Sequence, residues 1–278
     1  MPDQMIQLIR EANQGQSLAV NLKPTADTSN NPAVTIGVPA LGLHKSVMSI
    51  SLAALAAHSI MAGVQINLIG HDLSGIARNR NILAKAAVET GSTHILMLDS
   101  DMTFPPDLLV RLLAHGKDIV GVPYPRRSPP YELLGRPKYP EAGDQNGLVE
   151  MEMLPAGLLL IKTDVFKSIQ SPWFWESYKY DGEPVDQLRT VLYDALSAMV
   201  PAALLDNMLS ATLESQWLAE LERQGKPLTQ ERSEDINFCF KAQRNGFQLW
   251  GDLDLLREIG HSGDNIVRVG NVPAGASA

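Results

Sequence analysis

The sequence predicts an α/β protein whose mostly parallel sheet is flanked by helices. Two observations support this fold class. Three strand–helix units precede residue 123, and each joins a short apolar run to a segment with helical spacing. The strand of the third unit is an apolar run, Ile95 to Leu98, that stops at two carboxylates, Asp99 and Asp101. A continuous apolar run of this length is typical of a strand buried on both faces of a parallel sheet.

Turn and capping residues set the boundaries of these units. Pro39 ends the first strand, Gly63 ends the first helix, and Pro106 opens the third helix. The predicted elements are strands at 34–38, 64–69, 95–98 and 117–122, and helices at 44–62, 75–89 and 106–115. Short connections between such units favour a right-handed parallel layer.

Less regular segments surround this core. We expect an N-terminal helix and linker at 1–30, one main domain at 31–262 and a tail at 263–278. Residues 123–150, rich in Pro, Tyr and Gly, predict a long loop. Residues 183–229 carry a helical pattern, which predicts an inserted helical hairpin that serves as a lid or as a contact in a homo-oligomer.

Composition limits the classes of partner and compartment. The chain has 278 residues and a formal net charge of −8, and it has no basic block, which argues against a nucleic-acid partner. The one small candidate for a locally basic cleft is the segment from Tyr124 to Arg127. The single cysteine, Cys239, excludes an internal disulfide, and its neighbours Phe238 and Phe240 favour a buried thiol. We find no transmembrane segment and no signal peptide, so a cytoplasmic location is expected.

Asp99 and Asp101 are the first candidate site residues. They follow a predicted strand at its carboxyl end, where open α/β sheets bind ligands. Two acids this close repel each other unless positive charge lies between them, and a hard divalent cation completed by a phosphate would supply it. The alternative is turn chemistry, in which the side chains only cap backbone amides.

The start of the second predicted helix carries an unusual cluster, Arg78, Asn79 and Arg80. Positive charge at a helix start is unfavourable to the helix dipole, so these arginines need another reason to be there. An anionic ligand is one reason, and simple exposure of Arg80 to solvent is the alternative.

Taken together, five segments resemble the nucleotide-sugar-dependent glycosyltransferases of the GT-A fold, a Rossmann-like α/β fold, and among them the family 2 type with its bacterial and phage relatives. The segments are IARNRNILAKAA, HILMLDSDM, PAGLLLIKTDVF, SEDINFCFKAQRNGFQLW and GHSG. The resemblance covers residues 33–127, 153–175 and 232–262 and lies in the order and spacing of these pieces.

The resemblance implies a metal site. In such enzymes an Asp-x-Asp motif binds the diphosphate of the donor through Mn²⁺ or Mg²⁺, and Asp99 and Asp101 match it here. His261 stands where a downstream histidine often adds a ligand, with a surface histidine as the alternative. The metal would offset charge on the departing nucleoside diphosphate.

The resemblance also implies residues for the nucleotide. Arg78 and Asn79 match a segment near the nucleotide, and Pro39 and Asp72 lie at the ends of the first two predicted strands, where the nucleoside would rest. A UDP-sugar is the expected donor. The acceptor would be a hydroxyl of a glycan, a lipid-linked molecule or another compound.

Glu234 and Asp235 match the Glu-Asp motif of the family, whose aspartate is the general base of inverting members. A carboxylate at a helix start is stabilised and ready to take the proton of an acceptor hydroxyl. The alternative is that both acids only complement the helix dipole.

Two other functions fit parts of the sequence. Asp99, Asp101 and Thr103 also match the Asp-x-Asp-x-Thr motif of haloacid dehalogenase-type phosphatases, in which Asp99 would attack phosphorus and Asp252 would be the late acid. A binding module for nucleotide sugars without turnover is the second alternative. The expected function is metal-dependent transfer of a sugar to a hydroxyl acceptor, with inversion.

Overall fold

A computed structural model describes residues 6–9, 17–23, 31–39, 46–71, 75–139, 147–180, 183–184, 228–263 and 266–268. The chain divides into two compact units, and each is described by itself. The first comprises Met1–Trp173 and Cys239–Ala278, and the second comprises Phe174–Phe238. Among the described residues, every helix is too short or too polar to cross a membrane.

The regular elements are named in chain order. The helices are α1 Ser46–Met61, α2 Ile76–Glu89, α3 Leu108–Ala114, α4 Thr163–Ser168 and α5 Glu234–Arg244, and Leu255–Arg257 form a 3-10 turn. The strands are β1 Ile6–Ile9, β2 Ser17–Leu22, β3 Ala33–Pro39, β4 Gln65–His71, β5 His94–Leu98, β6 Met102–Thr103, β7 Ile119–Gly121, β8 Tyr124–Pro125, β9 Leu133–Leu134, β10 Arg136–Pro137, β11 Leu148–Met153, β12 Leu158–Lys162, β13 Ser177–Tyr180, β14 Glu183–Pro184, β15 Leu228–Arg232, β16 Leu249–Asp252, β17 Gly260–Ser262 and β18 Ile266–Val267.

The first unit is built on a ten-stranded sheet in the order β1-β2-β4-β3-β5-β12-β7-β16-β11-β10. Strand β3 runs parallel to β4 and β5, and β7 runs parallel to β16. These pairs confirm the predicted parallel layer. Strand β12 lies antiparallel between β5 and β7, so the sheet as a whole is mixed.

Strand β5 lies in the interior of the sheet, between β3 and β12, and its four residues from Ile95 to Leu98 are fully buried. Leu96 and Leu98 belong to the large apolar cluster that includes side chains of α1 and α3. On the other face, Ile95 lies beside Gly37, where an added Cβ would also meet Leu83 of α2. Helices therefore cover both faces of the sheet, as the apolar run predicts.

Three parts of the chain differ from the predictions. Residues 6–9 form β1 and pair with β2, where a helix was predicted, because so short an apolar run fits both periods and the neighbouring sheet edge accepts strands. The predicted loop 123–150 contains β8 to β10 and the start of β11. Residues 266–267, assigned above to a tail, form β18 and pair with β17.

The second unit contains a small antiparallel sheet in the order β14-β13-β15 and the first turns of α5. Phe174 stacks on Phe238 within this unit, with ring centroids 4.7 Å apart. The two ends of the predicted helical insertion, 183–184 and 228–229, lie in strands β14 and β15. Its remainder, 185–227, lies outside the described residues.

The start of β5 carries a histidine that makes folding depend on pH. His94 lies opposite Lys162 of β12. Burial and the positive charge of Lys162 lower the pKa of His94 below its ordinary value of 6.5. The unfolded chain therefore binds a proton at His94 in a pH range where the folded chain does not.

We predict that the free energy of unfolding falls as the pH drops below 6.5, and that the substitution His94→Gln reduces this loss. Urea unfolding of both proteins between pH 5 and pH 8 measures it. Near pH 8 His94 is neutral in both the folded and the unfolded state. The difference in unfolding free energy between the wild type and His94→Gln is therefore constant there. An identical loss in both proteins would show that His94 does not contribute.

Candidate functional site

Asp99 is held at the carboxyl end of β5 by a buried arginine. Arg80 Nη2 donates to Asp99 Oδ1 at 2.9 Å, and Arg80 Nη1 donates to the carbonyl oxygen of Ala156 at 2.8 Å. The Arg80 side chain is 3% exposed, so its charge is almost fully removed from water. A buried charge of this kind requires a partner, and Asp99 supplies it.

The sequence contains a signal for this role of Arg80. Helix α2 buries Arg80, Leu83, Ala84 and Ala87, which follow the spacing of a single core-facing stripe. An arginine within such a stripe is buried and must be paired. The alternative that Arg80 is a solvated charge is therefore wrong.

A small sheet brings His261 to Asp101. Strand β17 pairs antiparallel with β6, so that His261 lies opposite Met102. The backbone N–H of Ser262 donates to the carbonyl oxygen of Asp101 at 2.8 Å. These contacts place two of the predicted metal ligands side by side, although they are far apart in the chain.

The Asp101 carboxylate has two cationic or potentially cationic neighbours, and both approach the same oxygen. Arg127 Nη1 donates to Asp101 Oδ2 at 2.6 Å, and His261 Nε2 lies 3.3 Å from that oxygen. Burial alone would raise the pKa of Asp101, but hydrogen bonds and charge from His261 and Arg127 outweigh it and lower that pKa below its ordinary value. Asp101 is therefore ionised at neutral pH.

Contacts with Pro125 and Tyr124 fix the orientation of the His261 ring. Its Nδ1 lies 3.0 Å from the carbonyl oxygen of Pro125. The rings of His261 and Tyr124 also pack edge to face, with centroids 5.1 Å apart. Because a carbonyl oxygen only accepts, Nδ1 must carry the proton. In the neutral ring Nε2 then presents a lone pair to Asp101, which is unfavourable unless a proton or another cation lies between them.

This arrangement is the one found around metal-binding histidines, which commonly donate their second N–H to a backbone carbonyl. Two ligand atoms about 2.2 Å from one ion at right angles are about 3.1 Å apart. The 3.3 Å between Asp101 Oδ2 and His261 Nε2 fits this spacing. Within the described ranges, the side chains of His, Cys, Asp and Glu form no ready-made group of three around a metal position.

Gly157 gives Asp99 its space. A Cβ atom at this position would lie 2.7 Å from Asp99 Oδ2 and would also overlap the Tyr124 hydroxyl. The backbone N–H of Asp99 donates to the carbonyl oxygen of Gly157 at 3.0 Å, so the two residues continue the pairing of β5 with β12. The start of β12 therefore shapes one wall of the site.

The residues predicted to bind the nucleotide have different environments. Pro39 is buried at the end of β3, Asn79 is fully buried, and Arg78 is exposed on the first turn of α2. Asp72 lies outside the described residues. Arg80 was expected to face an anionic ligand or solvent, and its pairing with Asp99 was not predicted. No role in this site was predicted for Arg127, Tyr124 or Gly157, and of these four residues Arg80 alone follows a periodic pattern that could have revealed its place.

Glu234 and Asp235 lie at the start of α5, in the second unit. Asp235 Oδ1 accepts a hydrogen bond from its own neighbour, the backbone N–H of Ile236, at 2.8 Å, and another from the Ser233 hydroxyl. Glu234 is buried, with 6% of its surface exposed. Two hydrogen bonds to one oxygen fix the orientation of the Asp235 carboxylate.

We predict that Arg80→Met lowers the free energy of unfolding by about 2–4 kcal/mol, because Asp99 and the Ala156 carbonyl lose their buried partner. Arg78→Met on the same helical turn is the matched control, and we expect it to cost less than about 0.5 kcal/mol, since Arg78 is exposed. Urea denaturation measures both. Equal effects of the two substitutions would contradict the buried ion pair.

Comparison with known proteins gives little. No protein-family profile matches the chain, and no curated protein matches it. Among solved structures, one that it resembles is described as "Crystal Structure of A197 from STIV", with 16% sequence identity and a TM-score of 0.37 over 51% of this chain and 71% of that chain. A likeness at this level carries no argument about activity, so the function rests on the residues themselves.

Proposed function

We propose that this protein is a metal-dependent glycosyltransferase of the GT-A type that moves a sugar from a nucleoside-diphosphate donor, a UDP-sugar, to a hydroxyl acceptor. The observation that carries this proposal is the approach of Asp101 Oδ2 to His261 Nε2 at 3.3 Å, two residues along the chain from Asp99. All three residues lie where β5 ends, at the edge of the sheet at which α/β proteins bind ligands. The proposed site of the reaction is the cytoplasm, in keeping with the buried free thiol of Cys239.

Asp101 and His261 would hold the Mn²⁺ or Mg²⁺ ion. Asp99, whose Oδ1 accepts a hydrogen bond from Arg80, is the third ligand that the Asp-x-Asp resemblance implies. When bound, the ion would supply positive charge that stabilises the departing nucleoside diphosphate. Arg80 keeps the Asp99 carboxylate in place, and the Pro125 carbonyl keeps His261 Nε2 directed at Asp101. Both supporting contacts reduce the entropy lost when the ligands close around an ion.

Asp235 is proposed as the general base, with Glu234 beside it. The Ser233 hydroxyl and the Ile236 N–H bind one oxygen of the Asp235 carboxylate and set its orientation. The carboxylate would accept the proton of the acceptor hydroxyl as that oxygen attacks the anomeric carbon. Attack opposite the leaving diphosphate inverts the configuration at that carbon.

The phosphatase alternative has weaker support. It needs Asp252 as a late acid, but Asp252 is 3% exposed, and both of its carboxylate oxygens accept hydrogen bonds. His115 Nε2 lies 2.9 Å from Oδ2, and the Leu255 N–H donates to Oδ1 at 2.9 Å. These contacts give Asp252 a structural role, because they connect the end of β16 to the residue that follows α3.

We predict that Mn²⁺ and UDP together raise the melting temperature of the wild-type protein by about 5 °C, and that Asp101→Asn abolishes the rise. Asp235→Asn should keep the rise and lower the rate of sugar transfer by about 10²–10⁴-fold, because only proton removal is lost. Thermal shift and a transfer assay measure the two effects. Binding without any transfer by the wild-type protein, across a panel of donors and acceptors, would instead support a binding module.

A further inference from the structure

Arg127 and His261 contact the same atom of the candidate metal site. Arg127 donates to Asp101 Oδ2 at 2.6 Å, and His261 Nε2 approaches the same oxygen at 3.3 Å. A divalent cation bound between Asp101 and His261 would use that oxygen and would repel the guanidinium at close range. Arg127 and the cation therefore compete for one position.

The charges of the site are already balanced by protein groups. Asp99 and Asp101 carry two negative charges, and their partners Arg80 and Arg127 carry two positive charges. Arg268, which donates to the Thr103 hydroxyl at 3.3 Å, adds positive charge close by. A divalent cation alone would leave the two aspartates and their two arginines with an excess of about two positive charges, and about three when Arg268 is counted. A diphosphate that arrives with the cation would remove the excess.

The Arg127 side chain has room to move from one partner to another. Its side chain is 58% exposed, whereas the Asp101 side chain that it contacts is 17% exposed. Its backbone is enclosed, since a Cβ added at Gly263 would lie 2.9 Å from the Arg127 carbonyl oxygen. The preceding residue donates its backbone N–H to the Glu132 carbonyl at 2.8 Å, next to the pairing of β8 with β9. The side chain can thus move while its attachment point stays in place.

We propose that Arg127 makes the binding of the divalent cation and of the diphosphate cooperative. It neutralises Asp101 in the protein without ligands, leaves when the cation binds Asp101 and His261, and then donates to the diphosphate oxygens. A guanidinium suits this second role because it presents several donors to phosphate oxygens. The inference rests on the proposed function, since it takes Asp101 and His261 as the metal ligands and a nucleoside diphosphate as the anion.

Calorimetric titrations of Mn²⁺ with and without UDP, and of UDP with and without Mn²⁺, test the proposal on the full chain. For Arg127→Gln we expect Mn²⁺ alone to bind about fivefold more tightly and UDP with Mn²⁺ to bind about tenfold more weakly. UDP alone should bind the variant and the wild type equally, so the coupling factor between the two ligands falls about tenfold. Arg127→Lys keeps the charge and should restore part of the coupling.

Arg126→Gln is the matched control, because Arg126 is the exposed neighbour of Arg127 and the change in charge is the same. It should leave the coupling at the wild-type value. If the wild-type protein binds both ligands and Arg127→Gln shows unchanged coupling, the role of Arg127 is refuted while the proposed function stands. If Mn²⁺ alone binds Arg127→Gln more weakly, the competition is refuted. If the wild-type protein binds neither ligand, the proposed function fails and this inference fails with it.

Discussion

The candidate site depends on one buried ion pair. The guanidinium of Arg80 joins three elements at one edge of the sheet: it extends from α2, donates to Asp99 after β5, and donates to the Ala156 carbonyl before β12. Removing a charge from water is costly, so this side chain stays only where partners meet both of its terminal nitrogens. The same requirement keeps the Asp99 carboxylate at the edge where ligands of α/β proteins bind.

A second constraint acts on Asp101. Strand β17 pairs with β6 and carries His261 to the carboxylate, while the segment after β7 supplies both Arg127 and the Pro125 carbonyl. Three parts of the chain thus determine the charge around a single oxygen atom. The contact of His261 Nδ1 with the Pro125 carbonyl directs His261 Nε2 at Asp101. This orientation is the one expected of a histidine that shares a cation with the carboxylate.

The sequence predicted the layer of the fold and the position of the two acids, because both are encoded locally. The fully apolar run of β5 specifies burial on two faces, and its abrupt end places Asp99 and Asp101 at the carboxyl edge. The antiparallel course of β12 was not predicted, since an apolar strand of five residues carries no information about its direction. Strand β1 at 6–9 was predicted as a helix for a related reason, because short apolar runs fit both periods.

The side-chain partners in the site were predicted less well than its acids. His261 was expected from resemblance alone, and its approach to Asp101 depends on a two-residue strand, β6, that leaves no pattern in the sequence. Arg127 lies in a segment without periodicity, so its ion pair with Asp101 could be seen only in three dimensions. Arg80 is the exception, since its place in the apolar stripe of α2 marks it as buried.

We propose that Asp101 and His261 share a divalent cation that carries a nucleoside diphosphate. The most direct test of this proposal is a crystal structure grown with Mn²⁺ and UDP, with anomalous scattering used to locate manganese. We expect an anomalous peak about 2.2 Å from both Asp101 Oδ2 and His261 Nε2, with the diphosphate of UDP beside it. UDP bound elsewhere, or manganese absent from these two atoms while UDP is present, would contradict it.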